Sequence, residues 1–200
     1  PWTLPANLAV AFNPHFHYSL VMVEGGAYLV ANPLLFKVAE KLGWEGYQIV
    51  RTVHAEELAT IEYEHPFCGR TGKLHPASFV TSDTRTGFVH IAPGHGMDDY
   101  HLGLKVGLPI YCPVDDDGRL TLTSDLPREQ QMPDSLLGLS TLEKNHRSDA
   151  NEGVLALLTE RQALAFREEY RHSYPHCWRS KTPIIFRATD QWFIGIGDGQ

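Results

Sequence analysis

Thr86-Gly87-Phe88-Val89-His90-Ile91-Ala92-Pro93-Gly94-His95-Gly96-Met97-Asp98-Asp99-Tyr100-His101 is the stretch in which the period of the chain changes. Gly87 to Ala92 is an apolar, alternating run and predicts a strand. Pro93, Gly94 and Gly96 break it. Met97–Val106 then follows helical spacing, with Asp98 and Asp99 in the first turn, and Gly107-Leu108-Pro109 stops it. Strand, tight loop and helix in that order deliver His90, His95, Asp98 and Asp99 to one rim. Adjacent carboxylates repel and desolvated imidazoles lose protons, so the cluster costs free energy. Folds keep such clusters mainly for binding or catalysis.

Three local readings stand side by side. A metal site would use His and Asp at short spacing, with His101 as a further donor. A metal-free pocket would use one carboxylate to grip a substrate cation, while the glycines let backbone approach a ligand. In the third, Asp98 and Asp99 simply favour the positive end of a helix dipole.

Outward from this stretch, Leu8–Phe12, Tyr18–Val23, Tyr28–Ala31, Tyr47–Val53 and Ile61–Tyr63 read as strands, with Gly25-Gly26 a turn. Asn32-Pro33 predicts a helix start with a capping amide, Leu34, Leu35, Val38, Ala39 and Leu42 its apolar face, and Gly43 its end. Ala77–Thr81 is expected to pair with Gly87–Ala92 as a hairpin. Ile110–Val114 reads as a short strand, and Asp115-Asp116-Asp117-Gly118 as a solvated turn, since no calcium-loop ligand series follows it. Residues 124–140 predict an irregular loop. Asp149–Gln162 predicts a helix capped by Ser148 or Asp149, and Ala163–Tyr170 a returning strand. The order of elements predicts an α+β, β-barrel-like domain with a few peripheral helices. Residues 1–171 are expected to form the domain, and 172–200 a proline- and aromatic-rich connector.

The 200 residues suffice for one sizeable core. Hydrophobic residues make up 42% and charged residues 20%, an ordinary globular balance. No apolar run approaches the roughly 20 residues that span a bilayer, so no membrane partner is expected. Cys68, Cys112 and Cys177 form no CxxC pair and fit free thiols in a reducing compartment. A net charge of -7 argues against a module that holds nucleic acid mainly by its own field. The opening at Pro1, without Met or a charged-then-apolar leader, reads as a boundary within a longer protein rather than a signal peptide.

Two outer segments add specificity. The chain opens Pro1-Trp2-Thr3-Leu4-Pro5-Ala6-Asn7-Leu8-Ala9-Val10, and near its end reads His172-Ser173-Tyr174-Pro175-His176-Cys177-Trp178-Arg179-Ser180-Lys181-Thr182-Pro183-Ile184-Ile185-Phe186-Arg187-Ala188-Thr189-Asp190-Gln191-Trp192-Phe193-Ile194. With the central stretch, these resemble the isoleucyl-tRNA synthetases, in the editing (connective-peptide) domain inserted into their catalytic domain. The resemblance covers essentially the whole chain. The sister valyl and leucyl enzymes share the fold and an aspartate matching Asp99. They do not resemble this chain at Pro1–Asn7 or at His90-Ile91-Ala92-Pro93-Gly94-His95.

The resemblance implies a hydrolase that clears valine from the isoleucine tRNA while excluding isoleucine. Its partners would be the tRNA 3′ end carrying valine and the remainder of the synthetase, in the cytoplasm, with the chain itself a monomer. No cofactor or metal is implied for the editing domain; ATP and Mg belong to the parent enzyme only. Asp99 matches the ammonium-binding aspartate and His90 a pocket-wall histidine. Thr3 would offer a hydroxyl to water or ribose. Trp2 and Asn7 would shape the entrance, and Ala92, His95 and Asp98 would line the substrate. In the family a threonine-rich segment precedes the residues matching Pro1-Trp2-Thr3 and lines the pocket, so part of that wall is expected to lie outside this chain.

Two rival functions remain at this stage. One is a metal-dependent hydrolase built on His90, His95, Asp98 or His101. The other is an inactive tRNA-docking piece, with Arg171, Arg179, Lys181 and Arg187 along the RNA path and His172, Tyr174, Trp178 and Trp192 as stacking surfaces. A serine hydrolase is disfavoured, because the chain has no Gly-x-Ser-x-Gly turn.

Overall fold

The computed structural model describes residues 1–82, 86–143, 147–168, 175–179, 181–192 and 194. Two open sheets form an α+β architecture. The first has the order β5-β6-β1-β7, from strands β1 (Ala9–Phe12), β5 (Glu62–Glu64), β6 (Thr71–Pro76) and β7 (Phe88–Ile91). β1 lies between a parallel partner, β6, and an antiparallel one, β7, so Val10 faces both Leu74 and His90. The second sheet is antiparallel, order β3-β2-β4, from β2 (Tyr18–Val23), β3 (Gly26–Ala31) and β4 (Gln48–Val53).

The sheets meet where β7 begins. Ala31 N–H donates to Thr86 O at 3.0 Å, and the buried Tyr18 hydroxyl donates to Gly87 O at 2.9 Å. Gly87 is obligatory there: its φ is +83°, and a Cβ would strike the Ala31 side chain. Phe12, Tyr18, Val21, Val30, Leu58 and Leu74 fill the core at this junction. Each such side chain removed from water contributes roughly 1.5–3 kcal/mol.

Helix α1 (Leu35–Leu42) packs Leu35 and Val38 on that core and ends at Gly43, whose φ of 65° is left-handed. Its entry differs from the expectation. Asn32–Leu34 forms a short 3₁₀ turn, and the Asn32 side chain accepts from the Ser19 hydroxyl instead of capping the helix. Ala55–Leu58 forms a short helix, α2, in the connection after β4. Helix α3 (Met97–Val106) has the predicted bounds and ends at Gly107, φ +77°. Helix α4 (Asp149–Glu160) is capped by Ser148, whose Oγ accepts from Asn151 N–H.

Several expectations are corrected. β7 pairs with β1, not with residues 77–81, which form no strand. The missing strand is β6, whose sequence Thr71-Gly-Lys-Leu-His-Pro lacks apolar alternation and is held by pairing on both sides. Residues 110–114 contribute only an isolated bridge, Val114 to Leu120, because prolines at 109 and 113 remove ladder donors. Residues 163–168 are not a strand. The region 124–140 carries 3₁₀ turns at Arg128–Gln130 and Asp134–Leu136, and it buries Met132 and Leu136 beneath α4. The Asp115 turn is as expected: its carboxylate accepts from Asp117 and Arg119 N–H. Among the described residues no helix is long and apolar enough to cross a membrane.

Candidate functional site

β7, the loop after it and the first turn of α3 form one wall. The segment Pro1–Asn7, which contains a 3₁₀ turn at Leu4–Ala6, forms the other. Leu8 N–H donates to Ile91 O at 2.9 Å and joins the two walls. Thr3 ends up opposite His90, with Oγ1 and Nε2 3.2 Å apart.

His90 lies at the rim and keeps solvent access. Its ring is nevertheless hemmed by protein atoms. That lost hydration, the largest cause, lowers its pKa to about 4. The imidazole is therefore neutral near pH 7 and can accept or donate a hydrogen bond, but supplies no charge.

Asp99 is half-buried in the first turn of α3. Its Oδ2 accepts from Ala92 N–H at 2.8 Å, which seats the carboxylate at the end of β7. Burial raises its pKa above the ordinary aspartate value, against the lowering by that backbone bond. Among the described residues no cation pairs with it. Gly96 makes room: a Cβ there would stand 2.9–3.1 Å from the Asp99 carboxyl atoms. Gly94 does the same for the backbone, since a Cβ would collide with Tyr111 O. Asp98, beside it, is exposed at the helix start and faces the dipole.

His95 points away from this pair. Its Nδ1 is 3.0 Å from Phe186 O, and a carbonyl only accepts, so the ring proton sits on Nδ1. Nε2 is buried without a hydrogen-bond partner among the described residues. The Trp2 ring meets His95 edge-on, with centroids 5.0 Å apart, and Trp2 N–H donates to Asn151 Oδ1. Beyond His95 opens a cavity of about 820 Å³ lined by Gly94–Met97, Tyr100, Ile110, Cys112 and residues 186–190.

Asn7 is 3% exposed, so it does not border solvent. Its amide donates to Ala9 O and accepts from the Tyr63 hydroxyl. Ala92 is buried and contributes its N–H to Asp99. The structure thus brings Thr3 to His90, Ala92 to Asp99 and Trp2 to His95. Asp98 and Asn7 stand outside these pairs. His65, Arg70 and Tyr63, which contact the Pro1–Asn7 segment, were not singled out from the sequence. A histidine and an arginine five positions apart, in Glu64-His65-Pro66-Phe67-Cys68-Gly69-Arg70, were the available signal.

The rival readings fare differently. Among the described residues no three His, Cys, Asp or Glu side chains are grouped to hold a metal ion. His101 sits against the Tyr100 ring. Arg187 binds Val114 O and the Asp116 carboxylate, which occupies its guanidinium. Arg179 lies over the Trp178 ring, 4.7 Å from its centroid. Trp178 and Trp192 are exposed. Arg171, His172 and Tyr174 lie outside the described residues.

No protein-family model matches the chain. An isoleucine--tRNA ligase of Persephonella marina is 44% identical over 196 residues, which is 98% of this chain and 19% of that protein. One of Desulfovibrio desulfuricans is 45% identical over 196 residues, with the same coverage. One of Aquifex pyrophilus is 40% identical over 210 aligned positions, covering 98% of this chain and 37% of that protein. A crystal structure of GlLeuRS-CP1 shows a loose likeness, with TM-score 0.46 and 17% identity over 53% of this chain and 40% of that one. The chain spans about a fifth of the length of the first of these relatives. At 40–45% identity over 98% of its own length, it belongs with the isoleucine--tRNA ligases, as a match to one segment of about 200 residues within them.

Proposed function

We propose that this chain is the editing domain of an isoleucyl-tRNA synthetase, and that it hydrolyses the ester joining valine to the terminal ribose of the isoleucine tRNA. The observation that carries the reading is Asp99. It is a half-buried carboxylate with a raised pKa, seated by Ala92 N–H and lacking a cation among the described residues. The α-ammonium of an aminoacyl ester supplies the missing charge through a charge-assisted hydrogen bond. A peptide or a free nucleotide offers no such group at that position.

A second sieve is needed for a physical reason. A missing methylene is worth about 1–3 kcal/mol in an apolar pocket, a magnitude whose worked case is the isoleucyl enzyme itself and is not a result of this structure. A pocket for isoleucine therefore admits valine, and a smaller hydrolytic pocket must remove it. His90 forms the wall that excludes isoleucine by bulk. Thr3, 3.2 Å from His90, orients water or the ribose hydroxyl. Water adds to the ester carbonyl, the ribose oxygen leaves with a proton, and valine and intact tRNA are released. The ester is labile, so placement of water and substrate suffices without a covalent nucleophile.

The partners of this reading are the tRNA 3′ end and the rest of the synthetase, in the cytoplasm, with ATP and Mg confined to the synthetic site of the larger enzyme. The deciding experiment compares deacylation of valyl- and isoleucyl-tRNA(Ile) by this chain and by a form extended at its N terminus with the threonine-rich segment. Valyl-ester hydrolysis by the extended form, lost in Asp99→Asn, supports the reading. Equal rates for both esters, or none by either form, overturn it.

A further inference from the structure

We propose that Arg70 and His65 are positioning residues of this site: from the link between β5 and β6 they hold the turn that carries Thr3 to His90. The proposal rests on the reading of Thr3 and His90 as part of the editing site. Neither residue bonds to Thr3 or His90; both act through the backbone of Leu4–Asn7.

A one-turn 3₁₀ helix leaves its last carbonyls without partners inside the turn. Here side chains collect them. Arg70 Nε and Nη2 donate to Asn7 O at 3.0 and 2.8 Å, and Nη2 also donates to Pro5 O at 2.6 Å. Nη1 donates to Gln130 O, and the guanidinium lies 5.6 Å from the centre of the Tyr111 ring. Only a planar fork with several fixed donors reaches these carbonyls together; an ammonium is a single point.

His65 adds a second donor to Leu4 O, which already accepts from Asn7 N–H at 2.9 Å and so closes the turn. Its Nδ1 accepts from Phe67 and Cys68 N–H at 3.3 and 3.1 Å, so the ring proton must be on Nε2, which donates to Leu4 O at 2.9 Å. The ring is 6% exposed, which keeps it neutral and in this one tautomer. Leu4, Pro5 and Asn7 are thereby tied to residues more than 50 positions away, while Thr3 is the residue that enters the turn.

The fold has separate anchors for this segment. Ala6 is fully buried, the Asn7 amide binds Ala9 O and Tyr63, and Leu8 pairs with Ile91. Loss of the Arg70 fork should therefore misplace Thr3 without unfolding the chain.

The test uses NMR on this chain, with kinetics on the extended form. Arg70→Lys keeps the charge and loses the fork; His65→Gln keeps the donor to Leu4 O, and His65→Leu loses it. Arg70→Lys and His65→Leu are expected to shift the Thr3 amide and His90 ring signals and leave those of β2–β4 in place, with His65→Gln near wild type. In parallel, kcat for valyl-tRNA should fall roughly tenfold to a hundredfold, the scale of a misplaced group, and KM should change less than about twofold. Unmoved Thr3 and His90 signals in both Arg70→Lys and His65→Leu overturn the proposal. So does unchanged kcat in those variants when Thr3→Val lowers it. If Thr3→Val leaves hydrolysis intact while Arg70→Lys still shifts the Thr3 and His90 signals, the clamp stands and the editing role of Thr3 fails. His65→Leu, which removes the bonds to Leu4 O, Phe67 N–H and Cys68 N–H but leaves the Arg70 fork in place, serves if Arg70→Lys does not fold.

Discussion

Thr3 and His90 are 87 positions apart in the chain, yet their Oγ1 and Nε2 atoms stand 3.2 Å apart across the mouth of the site. The contact joins the 3₁₀ segment at the start of the chain to an inner position of β7. Both groups are neutral near pH 7, because lost hydration lowers the His90 pKa to about 4. The pair thus offers hydrogen-bonding groups without charge.

His90→Ala is expected to relax selectivity before it removes activity. Without the imidazole the pocket gains room for the extra methylene of isoleucine, so correctly charged isoleucyl-tRNA should begin to be hydrolysed. Parallel deacylation of both esters checks this. Equal proportional losses on the two would make His90 catalytic rather than discriminating.

Two substitutions at Asp99 separate its charge from its backbone bond. Asp99→Asn keeps an acceptor for Ala92 N–H but loses the charge that grips ammonium. A charge-assisted contact is worth about 1.5–3 kcal/mol, or roughly one to two decades in rate. Asp99→Ala should lose the same activity and, in addition, about 1–3 kcal/mol of stability from the unsatisfied Ala92 N–H. Denaturant titration of the two variants beside the deacylation rates checks the difference.

Gly96→Ala should impair hydrolysis with little change in stability. The new Cβ would stand 2.9 Å from Asp99 Cγ, and the carboxylate must move by a few tenths of an ångström. Its φ of -134° is open to alanine, so the backbone stays put and stability should change by about 1 kcal/mol or less. Normal valyl-tRNA hydrolysis in this variant would show that the carboxylate position is not critical.

His65 should make the chain acid-labile. Burial lowers its pKa from 6.5 to about 4. The unfolded chain takes up this proton near the ordinary histidine value, whereas the folded chain resists it. The contribution of His65 is thus complete above pH 6.5 and is lost as pH falls toward about 4. Melting temperatures across that window should fall less in His65→Gln, which does not titrate there, than in wild type.

Whole tRNA should bind this chain weakly. Its net charge of -7 opposes a polyanion, and Arg187 is engaged by Asp116 rather than free for counterion release. Binding at physiological salt is expected to be weaker than roughly 10⁻⁶ M, the non-specific range. Submicromolar affinity in a filter-binding titration would refute this and point to the surface around Arg179 and Lys181.

Much of the framework was legible from local pattern. The α3 bounds, the glycine stops at Gly43 and Gly107, the Ser148 cap and the β7 strand follow from apolar period, left-handed glycine and hydroxyl capping, all of which act within a few residues. β6 was not legible, because its polar sequence is a strand only through β1 and β5 on either side. Residues 77–81 failed in the opposite sense. They are apolar enough for a strand, but Ala77 N–H bonds to Phe12 O just past the end of the ladder, and the segment then buries Val80 without pairing.

The candidate site divides along the same line. Sequence by itself determined that His90, His95, Asp98 and Asp99 share a strand-loop-helix rim, since fewer than a dozen residues and two glycines leave little choice of path. It also marked Pro1–Asn7 as a companion segment, through resemblance rather than chemistry. Only the tertiary structure decided which of these groups face one another. It set Thr3 on His90, turned His95 toward Phe186, left Asp98 at the surface, buried Asn7 and recruited Arg70 and His65 to hold the turn. The physical reason is that unpartnered carbonyls and half-buried side chains must find partners wherever the packed core brings them, and that choice is made across the fold, beyond the reach of local spacing.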